Sequence, residues 1–391
     1  MKKRICVITD YPVLKKTGAS LKIYYEYLKY FKDKYEVFCI SFTSEKKILD
    51  KNYNGYNFKQ FFLPYEDHLI PNKFSLICKM NNKKSIENIL KKFKITTIVG
   101  FDIVVASQIY KIENVKKIIW LGDLRFQTNF YNFIFNLKSD LKLLRHFLYN
   151  FYQNFLFKQK YQEILKSIDR IVVSSKSSEK ILKKMRINSK FLPYPWPRIF
   201  SKVKIKKVKK PNFLFFGNLA GLGSKSALYM LFKKIYPLLI KKMGNDNFSI
   251  SLVGHSSENS YLSKIDINKF PEMKYYGFVE NLNKITSKSS AVIFPGNIPV
   301  GNRCRLVSCM ASKMPIVADK SAKEGNPFLI DGYSAYLSNS SFDFVNKMIM
   351  TVTDYELKDK IVNNALRLYR ENYFPVIAAK KLDRFVYEKN S

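Results

Sequence analysis

The sequence predicts an α/β protein with two domains of similar size, each built on a parallel β-sheet, facing each other across a cleft. Three observations lead to this prediction. Short β-branched runs alternate with helical patterns in both halves of the chain. A proline-rich and lysine-rich stretch separates the halves. The 391 residues are also more than one compact core usually holds.

The first domain begins with a strand–helix–strand unit. Residues 5–8 and 37–40 are apolar runs of the kind that form buried parallel strands, and between them Leu21, Tyr24 and Leu28 recur at helical spacing. Such units build parallel sheets. Similar runs predict that the sheet continues with strands at residues 97–100, 117–121 and 170–174.

The character of the chain changes after residue 192. Pro193, Pro195 and Pro197 interrupt regular structure, and a basic run follows at residues 202–210. After this run the alternation restarts, with strands predicted at residues 213–216, 249–253, 274–276, 291–294 and 316–318.

These patterns set the expected domain boundaries. We predict a first domain at residues 1–200 and a second at residues 211–370. A long helical stretch is expected from about residue 354 onward, and its last part, residues 371–391, is a C-terminal helix that could return to the first domain.

The net charge of +37 has two interpretations. It can reflect an AT-rich coding sequence, or it can reflect an anionic partner such as a phosphorylated substrate, an acidic membrane surface or a nucleic acid. No nucleic-acid-binding signature is present, so we expect no nucleic acid partner. The five cysteines are scattered, and their spacing to the three histidines matches no zinc site.

Hydropathy and cysteine usage indicate a location. No uncharged apolar stretch approaches the roughly 20 residues that span a bilayer, and the apolar run after Lys2-Lys3-Arg4 is too short for a signal core. A disulfide framework is improbable, which suits a reducing compartment. We expect a cytoplasmic protein that could be peripheral at the inner face of the cell membrane.

Two glycine-containing loops follow the first strand of each domain. The first, at residues 15–20, contains Gly18, and the second, at residues 217–225, begins with Gly217-Asn218 and ends with Lys225. Glycine permits close approach, and a helix N-terminus offers free N–H groups to a phosphate or a sugar oxygen. Neither loop is a GxGxxG or Walker motif, and an ordinary turn remains the alternative for both.

The most informative motif lies between two predicted strands of the second domain. It reads Gly-Asn-Arg-Cys-Arg at 301–305, Met-Ala at 310–311 and Pro-Ile-Val at 315–317. With Pro295 at the end of the preceding strand, this pattern resembles the GT-B glycosyltransferases, especially the retaining family four (group 1) enzymes. The resemblance implies two Rossmann-like domains and transfer of a sugar from a nucleotide-sugar donor.

The resemblance also assigns donor contacts in the second domain, with two departures. The ribose-binding glutamate of the family falls at Ser308, and the glutamate that would start a Glu-x7-Glu pair falls at Val300. A serine offers a ribose less than a carboxylate does. The positions expected to contact the donor are Gly217, Asn218, Lys225, Arg303, Arg305, Ser308 and Glu324, with Gly18 as the phosphate- or sugar-binding glycine of the first domain.

The chemistry of sugar transfer supports the two arginines. Negative charge accumulates on the departing phosphate and must be stabilised. The chain has no Asp-x-Asp metal motif, so we expect no metal or other cofactor and assign this role to Arg303 and Arg305. A solvated basic turn is the alternative for both residues.

Two aspartates are the predicted catalytic residues on the acceptor side. Asp10 ends the first strand, and Asp123 follows the strand at residues 117–121. Either carboxylate could orient an acceptor hydroxyl or take its proton. A helix N-cap is an equally good interpretation of Asp123.

Residues 126–161 combine many aromatic side chains with basic ones. Their apolar positions exceed what a one-sided surface helix needs. A basic, aromatic helix can lie in an anionic membrane interface, and the resemblance implies the same for enzymes acting on lipid-linked glycans. Core helices packed on the sheet are the alternative.

The predicted function is therefore metal-independent transfer of a sugar from a nucleotide-sugar to a glycan acceptor, lipid-linked or part of a bacterial surface polysaccharide. One alternative is a transferase with a CMP-sugar donor, and another is a non-catalytic glycosyltransferase-like subunit that binds a glycan or a partner enzyme. Ser308 motivates the first alternative, and the missing carboxylates at positions 300 and 308 motivate the second.

Overall fold

The protein forms two compact units. The computed structural model describes residues 2–13, 18–44, 58–65, 69–71, 76–137, 141–203, 209–258 and 260–387. The first unit comprises Met1–Pro195 and Pro375–Ser391, and the second comprises Trp196–Phe374. Residues 15–17 of the first glycine loop and 204–208 of the basic run lie outside the described residues.

A parallel sheet forms the centre of the first unit. Its described strands follow the order β3-β2-β1-β6-β7-β8-β9, and every pairing is parallel. A short antiparallel pair, β4 and β5, lies outside this sheet. The strands are β1 (Arg4–Thr9), β2 (Glu36–Thr43), β3 (Lys59–Pro64), β4 (Leu69–Pro71), β5 (Leu76–Cys78), β6 (Thr97–Phe101), β7 (Lys116–Leu121), β8 (Arg170–Val173) and β9 (Lys190–Phe191).

Helices connect these strands and cover the sheet. The central strands β1 and β6 are almost wholly buried, as expected for parallel strands covered on both faces. A 3₁₀ turn at Leu141–His146 precedes the fifth helix. The helices are α1 (Ala19–Lys34), α2 (Lys83–Lys92), α3 (Ile103–Ile109), α4 (Arg125–Leu137), α5 (Phe147–Lys166) and α6 (Lys176–Lys184).

The second unit repeats the same plan. Its sheet has the order β12-β11-β10-β13-β14-β15 with parallel pairings throughout. The strands are β10 (Asn212–Phe216), β11 (Ser249–Val253), β12 (Met273–Tyr275), β13 (Ala291–Phe294), β14 (Ile316–Asp319) and β15 (Tyr336–Ser338). The prediction of two Rossmann-like α/β domains with parallel sheets is therefore confirmed.

The helices of the second unit include one irregular stretch. A π-helical turn at Leu231–Ile235 joins α7 to α8. It coincides with Pro237, which has no N–H to donate to the carbonyl four residues earlier. The helices are α7 (Leu222–Met230), α8 (Tyr236–Met243), α9 (Asn283–Thr286), α10 (Cys304–Ala311), α11 (Ala322–Gly325), α12 (Ser341–Thr353) and α13 (Tyr355–Asn372).

The helical stretch at the end of the chain consists of two helices. Helix α13 begins after Asp354, whose side chain accepts from the Leu357 N–H and so caps the helix. It ends at Asn372, and α14 (Pro375–Tyr387) begins three residues later. Pro375 disfavours a helical conformation for the residue before it, so one uninterrupted helix cannot form. Helix α14 packs against α1 in the first unit.

Candidate functional site

The strand order places a crevice at one edge of the second sheet. After β10 the chain builds outward through β11 and β12, and it then returns to add β13 on the other side of β10. Loops therefore diverge at the carboxyl ends of β10 and β13, which is where open α/β sheets bind ligands. Gly217 follows β10, and Pro295-Gly296 follows β13.

Backbones approach unusually closely around this crevice. Gly254 has a φ of +138°, and a Cβ atom there would overlap the Gly217 carbonyl. A Cβ at Gly217 would lie 2.9 Å from Cζ of Arg305. A Cβ at Gly325 would overlap the Gly301 carbonyl. Glycine at these positions lets four loops meet around the two arginines.

Arg305 is a buried cation that interacts mainly with aromatic rings. Its Nη2 donates to Ser224 Oγ at 2.8 Å. Its Cζ lies 5.4 Å from the Phe215 ring centroid and 5.0 Å from that of Phe294. Nη1 is buried without a hydrogen-bond partner, and within the described residues no carboxylate pairs with this side chain. Burial and the neighbouring Arg303 lower the pKa of Arg305 to about 10.

Arg303 lies beside it, at the start of a helix. It has a left-handed backbone (φ 50°, ψ 42°) and occupies the N-cap position of α10, whose first turn contains no acidic residue. Its Nη2 donates to the Ile298 carbonyl, and its Cζ lies 4.7 Å from the Phe294 ring centroid. The guanidinium groups of Arg303 and Arg305 therefore lie beside the N-terminus of α10, and together these positive groups favour the binding of an anion.

The glycine loop after β10 is held by its own hydrogen bonds. The exposed Asn218 accepts from the Ala220 N–H at 3.0 Å, and its carbonyl accepts from Ser224 Oγ at 2.6 Å. Lys225 lies in the first turns of α7, half-buried, with no ion pair to the part of the chain that the structure describes. Glu324 lies in α11, one residue before the glycine that contacts the Gly301 backbone.

Ser308 has a structural environment. It is wholly buried in α10, and its Oγ accepts from Trp196 Nε1 at 2.7 Å and donates to the Cys304 carbonyl at 3.1 Å. As placed, the hydroxyl has no accessible surface with which to reach a ligand. A donor contact at this position remains a prediction that these hydrogen bonds do not favour.

A corresponding crevice lies in the first sheet, between β1 and β6, but its buried charge is opposite. Asp10 directly follows β1 and is 5% exposed. Its carboxyl group hydrogen-bonds the Tyr24 hydroxyl, whereas Oδ1 is buried with no partner among the described residues. Burial, and secondarily the Asp102 carboxylate, raise the pKa of Asp10 to about 7. The group can therefore exchange a proton near neutral pH.

Asp102 and Arg125, which were not among the predicted site residues, complete this cluster. Asp102 directly follows β6, has a φ of +79°, and accepts from the Val104 N–H at 3.1 Å to cap α3. Its Oδ1 also accepts from Arg125 Nη2 at 2.9 Å. Strand order could have revealed this pair, because Asp10, Asp102 and Arg125 follow the neighbouring parallel strands β1, β6 and β7.

The remaining predicted residues of the first unit lie nearby in sequence. Asp123 is exposed in the turn between β7 and α4. Gly18 precedes α1 with a φ of +90°, and no atom of the residues that the structure describes lies within 4 Å of the position that its Cβ would take. Within the described ranges, no group of three metal-ligating side chains is present.

Comparison with known proteins agrees with this geometry. Residues 210–354 match the family described as glycosyl transferases group 1. A search of curated proteins finds no match.

The fold is shared with solved structures of low sequence identity. A glycosyltransferase from Rickettsia africae is 16% identical, with a TM-score of 0.69 and 100% of both chains covered. HepE from Anabaena, in complex with UDP and glucose, is 13% identical, with a TM-score of 0.65, covering 98% of this chain and 99% of that one. The lipopolysaccharide outer core galactosyltransferase WaaB is 11% identical, with a TM-score of 0.64, again covering 98% and 99%.

The two parallel sheets give the chain the GT-B fold of these solved structures. Residues 210–354 are similar to a glycosyl transferases group 1 domain, and this similarity supports glycosyltransferase activity. The resemblance to GT-B glycosyltransferases is thereby confirmed at the level of the fold and of the second-unit domain.

Proposed function

We propose that this glycosyltransferase moves a sugar from a nucleotide-sugar, held by the second unit, to a glycan acceptor held by the first. The observation that carries the donor half is Arg305, a buried guanidinium whose Nη1 has no hydrogen-bond partner in the described residues. A buried cation without a counter-ion is costly. The phosphates of a nucleotide-sugar supply the missing charge and acceptors.

The same residues account for departure of the nucleotide. Negative charge grows on the leaving phosphate as the glycosidic bond breaks, and preformed cationic donors stabilise it. Arg303, Arg305 and the N-terminus of α10 fill this role, so we propose that the reaction needs no metal. The UDP bound to HepE supports a nucleoside diphosphate donor. Retention of anomeric configuration is proposed on the family resemblance alone.

The acceptor half rests on the first unit. We propose that Asp10 or Asp123 orients the acceptor hydroxyl and that Gly18 allows the acceptor to approach the start of α1. The name of WaaB, a lipopolysaccharide galactosyltransferase, supports a lipid-linked or surface-polysaccharide acceptor.

Calorimetric titration with UDP, GDP and CMP tests the donor site. We expect one of the diphosphates to bind and to raise the melting temperature, because a ligand specific to the native state stabilises it. Arg305→Ala should abolish this shift, and Arg367→Ala, an exposed arginine of the same unit, should leave it intact. Unchanged binding in Arg305→Ala would mean that the anion binds elsewhere.

The outcomes of this titration also separate the alternatives. Preferred binding of CMP would favour a CMP-sugar donor. Absence of binding by all three nucleotides would count against a transferase. Turnover of a nucleotide-sugar by the purified chain alone would reject the non-catalytic subunit.

An apolar surface on the first unit supports association with a membrane. In the turn before α5 and in its first half, six large apolar side chains are 38–79% exposed: Leu144, Leu148, Tyr149, Phe151, Tyr152 and Phe155. The second half of α5 is different, because Leu156, Tyr161 and Ile164 pack inside the unit. The interpretation as a core helix therefore describes the second half of α5, and the exposed first part supports the proposal of a membrane contact.

The positive charge beside this surface indicates what kind of partner it would contact. Lys142, Arg145 and Lys158 are exposed there, and the chain carries a net charge of +37. Aromatic side chains with flanking cations suit the headgroup region of an anionic bilayer. No helix in the described ranges is long and apolar enough to cross a membrane. We therefore propose peripheral attachment at the inner face of the cell membrane.

Vesicle sedimentation tests this attachment. The chain should sediment more with vesicles that contain phosphatidylglycerol than with vesicles of pure phosphatidylcholine. At moderate salt it should still bind the anionic vesicles but should not bind DNA. Leu148→Gln with Phe151→Gln should reduce sedimentation at least fivefold, whereas Phe342→Gln, an equally exposed aromatic of the second unit, should not. Equal sedimentation of both variants would reject this surface as the contact.

A further inference from the structure

Two tyrosines extend the Asp10 crevice of the first unit. Tyr11 follows Asp10 at the end of β1, and Tyr65 follows β3 two strands away. Their rings stack, with centroids 5.7 Å apart and planes 16° from parallel. Tyr11 is 50% exposed, although a tyrosine at the end of a central strand could have packed inward. The carboxyl ends of β1 and β3 thus present an aromatic platform beside a buried carboxyl group.

Among the described residues, the polar groups beside this platform carry little net charge. Arg125 is neutralised by its ion pair with Asp102. The groups that act electrostatically on Asp10 are the hydroxyl of Tyr24 from α1, the Asp102 carboxylate after β6 and Arg125 from α4. The first crevice therefore offers acceptors and hydroxyls, whereas the second contains two guanidinium groups.

Such a combination suits one ligand class. The apolar C–H face of a sugar ring packs on an aromatic ring, and the hydroxyls at its rim donate to carboxylate oxygens. Asp10 Oδ1 is a buried acceptor without a partner among the described residues, so a ligand hydroxyl would satisfy it. A phosphate or a uronate would instead face the carboxyl groups of Asp10 and Asp102.

We propose that Tyr11, Tyr65 and Asp10, braced by the Asp102–Arg125 pair, form the acceptor subsite, and that it takes an uncharged sugar ring. This inference rests on the proposed function, because it names the acceptor end of that reaction. Tyr11 and Tyr65 bind the ring, Asp10 contacts a hydroxyl, and Asp102 with Arg125 acts as a positioning pair.

Saturation-transfer-difference NMR tests the proposal directly. The probes are the methyl glycosides of glucose, galactose, mannose and N-acetylglucosamine, with methyl glucuronoside as the charged comparison. We expect at least one neutral glycoside to receive saturation on its C–H face, and the glucuronoside to receive at least fivefold less. Equal transfer to the glucuronoside, or no transfer to any neutral glycoside at tens of millimolar, would overturn the proposal.

Variants assign the signal to the platform. Tyr11→Ala and Tyr65→Ala should each lower the transfer at least fivefold, Tyr11→Phe should restore it, and Phe342→Ala should not change it. Transfer that persists in both alanine variants would place the sugar elsewhere and overturn the assignment.

Titration of UDP into the same alanine variants separates this inference from the proposed function. UDP binding that is retained while the sugar signal is lost supports the acceptor subsite. Wild-type protein that binds UDP but none of the glycosides overturns the subsite alone, whereas failure to bind any nucleotide argues against the donor site.

Discussion

Single buried side chains give the two crevices opposite character. In the first unit Asp10 is enclosed with an unsatisfied oxygen and a pKa raised to about 7. In the second unit Arg305 is enclosed with an unsatisfied nitrogen and a pKa lowered to about 10. Each burial disfavours the charged form of its group. A ligand that supplies the missing partner therefore gains more than it would at an exposed residue.

The raised pKa of Asp10 predicts how stability varies with pH. An unfolded aspartate titrates near pH 4, so between about pH 4 and pH 7 the native state holds a proton that the unfolded state releases. The free energy of unfolding must then fall as the pH rises through this interval. In Asp10→Asn this contribution disappears, and the variant should gain on the order of 2–4 kcal/mol relative to wild type between pH 4.5 and pH 8.

Hydrogen exchange of β1 at the two pH values measures this gain, because it reports opening of the first unit alone. Asp123→Asn is the matched control, since that carboxyl group is exposed. A difference between Asp10→Asn and wild type that is the same at both pH values would contradict the raised pKa.

Ser308 allows a test of structural support against ligand contact. Ser308→Ala removes the acceptor of the buried Trp196 N–H, which should cost about 1–3 kcal/mol of stability. Donor affinity should fall less than threefold, because the serine hydroxyl is wholly buried. Thermal unfolding and nucleotide titration measure the two effects. A tenfold loss of nucleotide affinity at unchanged stability would instead show that the hydroxyl contacts the ligand.

The sequence identified residues that directly follow a predicted strand or lie within a motif, and it missed those that only the sheet brings together. Asp10, Arg303 and Arg305 were predicted because each immediately follows a strand or belongs to the group 1 motif. Asp102 and Tyr65 were not, because each lies in a separate loop with no local signal. Their proximity to Asp10 follows from strand order, which residue spacing does not encode.

Secondary structure was predictable where strands are buried on both faces. The central strands β1, β6, β10 and β13 are continuous apolar runs and lie close to the predicted positions. Strands β3 and β15 were not predicted. β3 is half-exposed at the sheet edge and mixes polar with aromatic residues, and β15 has three residues. Strands at the edge of a sheet have a weaker hydrophobic sequence pattern, because burial constrains fewer of their residues.

The glycine-rich loops predict a sharp difference between two similar substitutions. Gly254→Ala places a Cβ on the Gly217 carbonyl at a φ of +138°, so the loop that packs on Arg305 must move. We expect nucleotide affinity to fall at least tenfold. Gly221→Ala is the matched control: its φ is −69°, and its Cβ would lie 3.6 Å from the Asn218 carbonyl oxygen, an ordinary contact.

Titration of the nucleotide into both variants decides the matter. The Gly221→Ala variant should bind within twofold of wild type. Equal affinities in the two variants would show that the Gly254–Gly217 contact does not shape the donor site.

The chain as a whole is not two consecutive halves, because its last helix completes the first unit. Asp383 of α14 is 2% exposed and accepts from the Tyr35 hydroxyl and from Lys34. Arg170 of β8 donates to the Phe385 carbonyl, and Lys116 of β7 donates to that of Val386. The helix therefore binds elements from the beginning and the middle of the first unit. Local sequence pattern identified the helix but could not identify what it packs against.

Removal of this helix should consequently affect one unit and spare the other. A chain ending at Phe374 loses the apolar face of α14 and every hydrogen bond that its last two turns make to the first unit. At about 25 cal/mol per Å² of apolar surface, several buried side chains outweigh the few kcal/mol by which such units are usually stable. Hydrogen-exchange protection should therefore collapse in β2 and β7, while β10 and β13 retain it.

The single substitution Asp383→Asn should weaken protection in the first unit without abolishing it, because the apolar face of α14 remains. Full protection of β2 and β7 in the truncated chain would mean that the first unit folds without its C-terminal helix, and loss of protection in β10 would mean that the two units do not unfold independently.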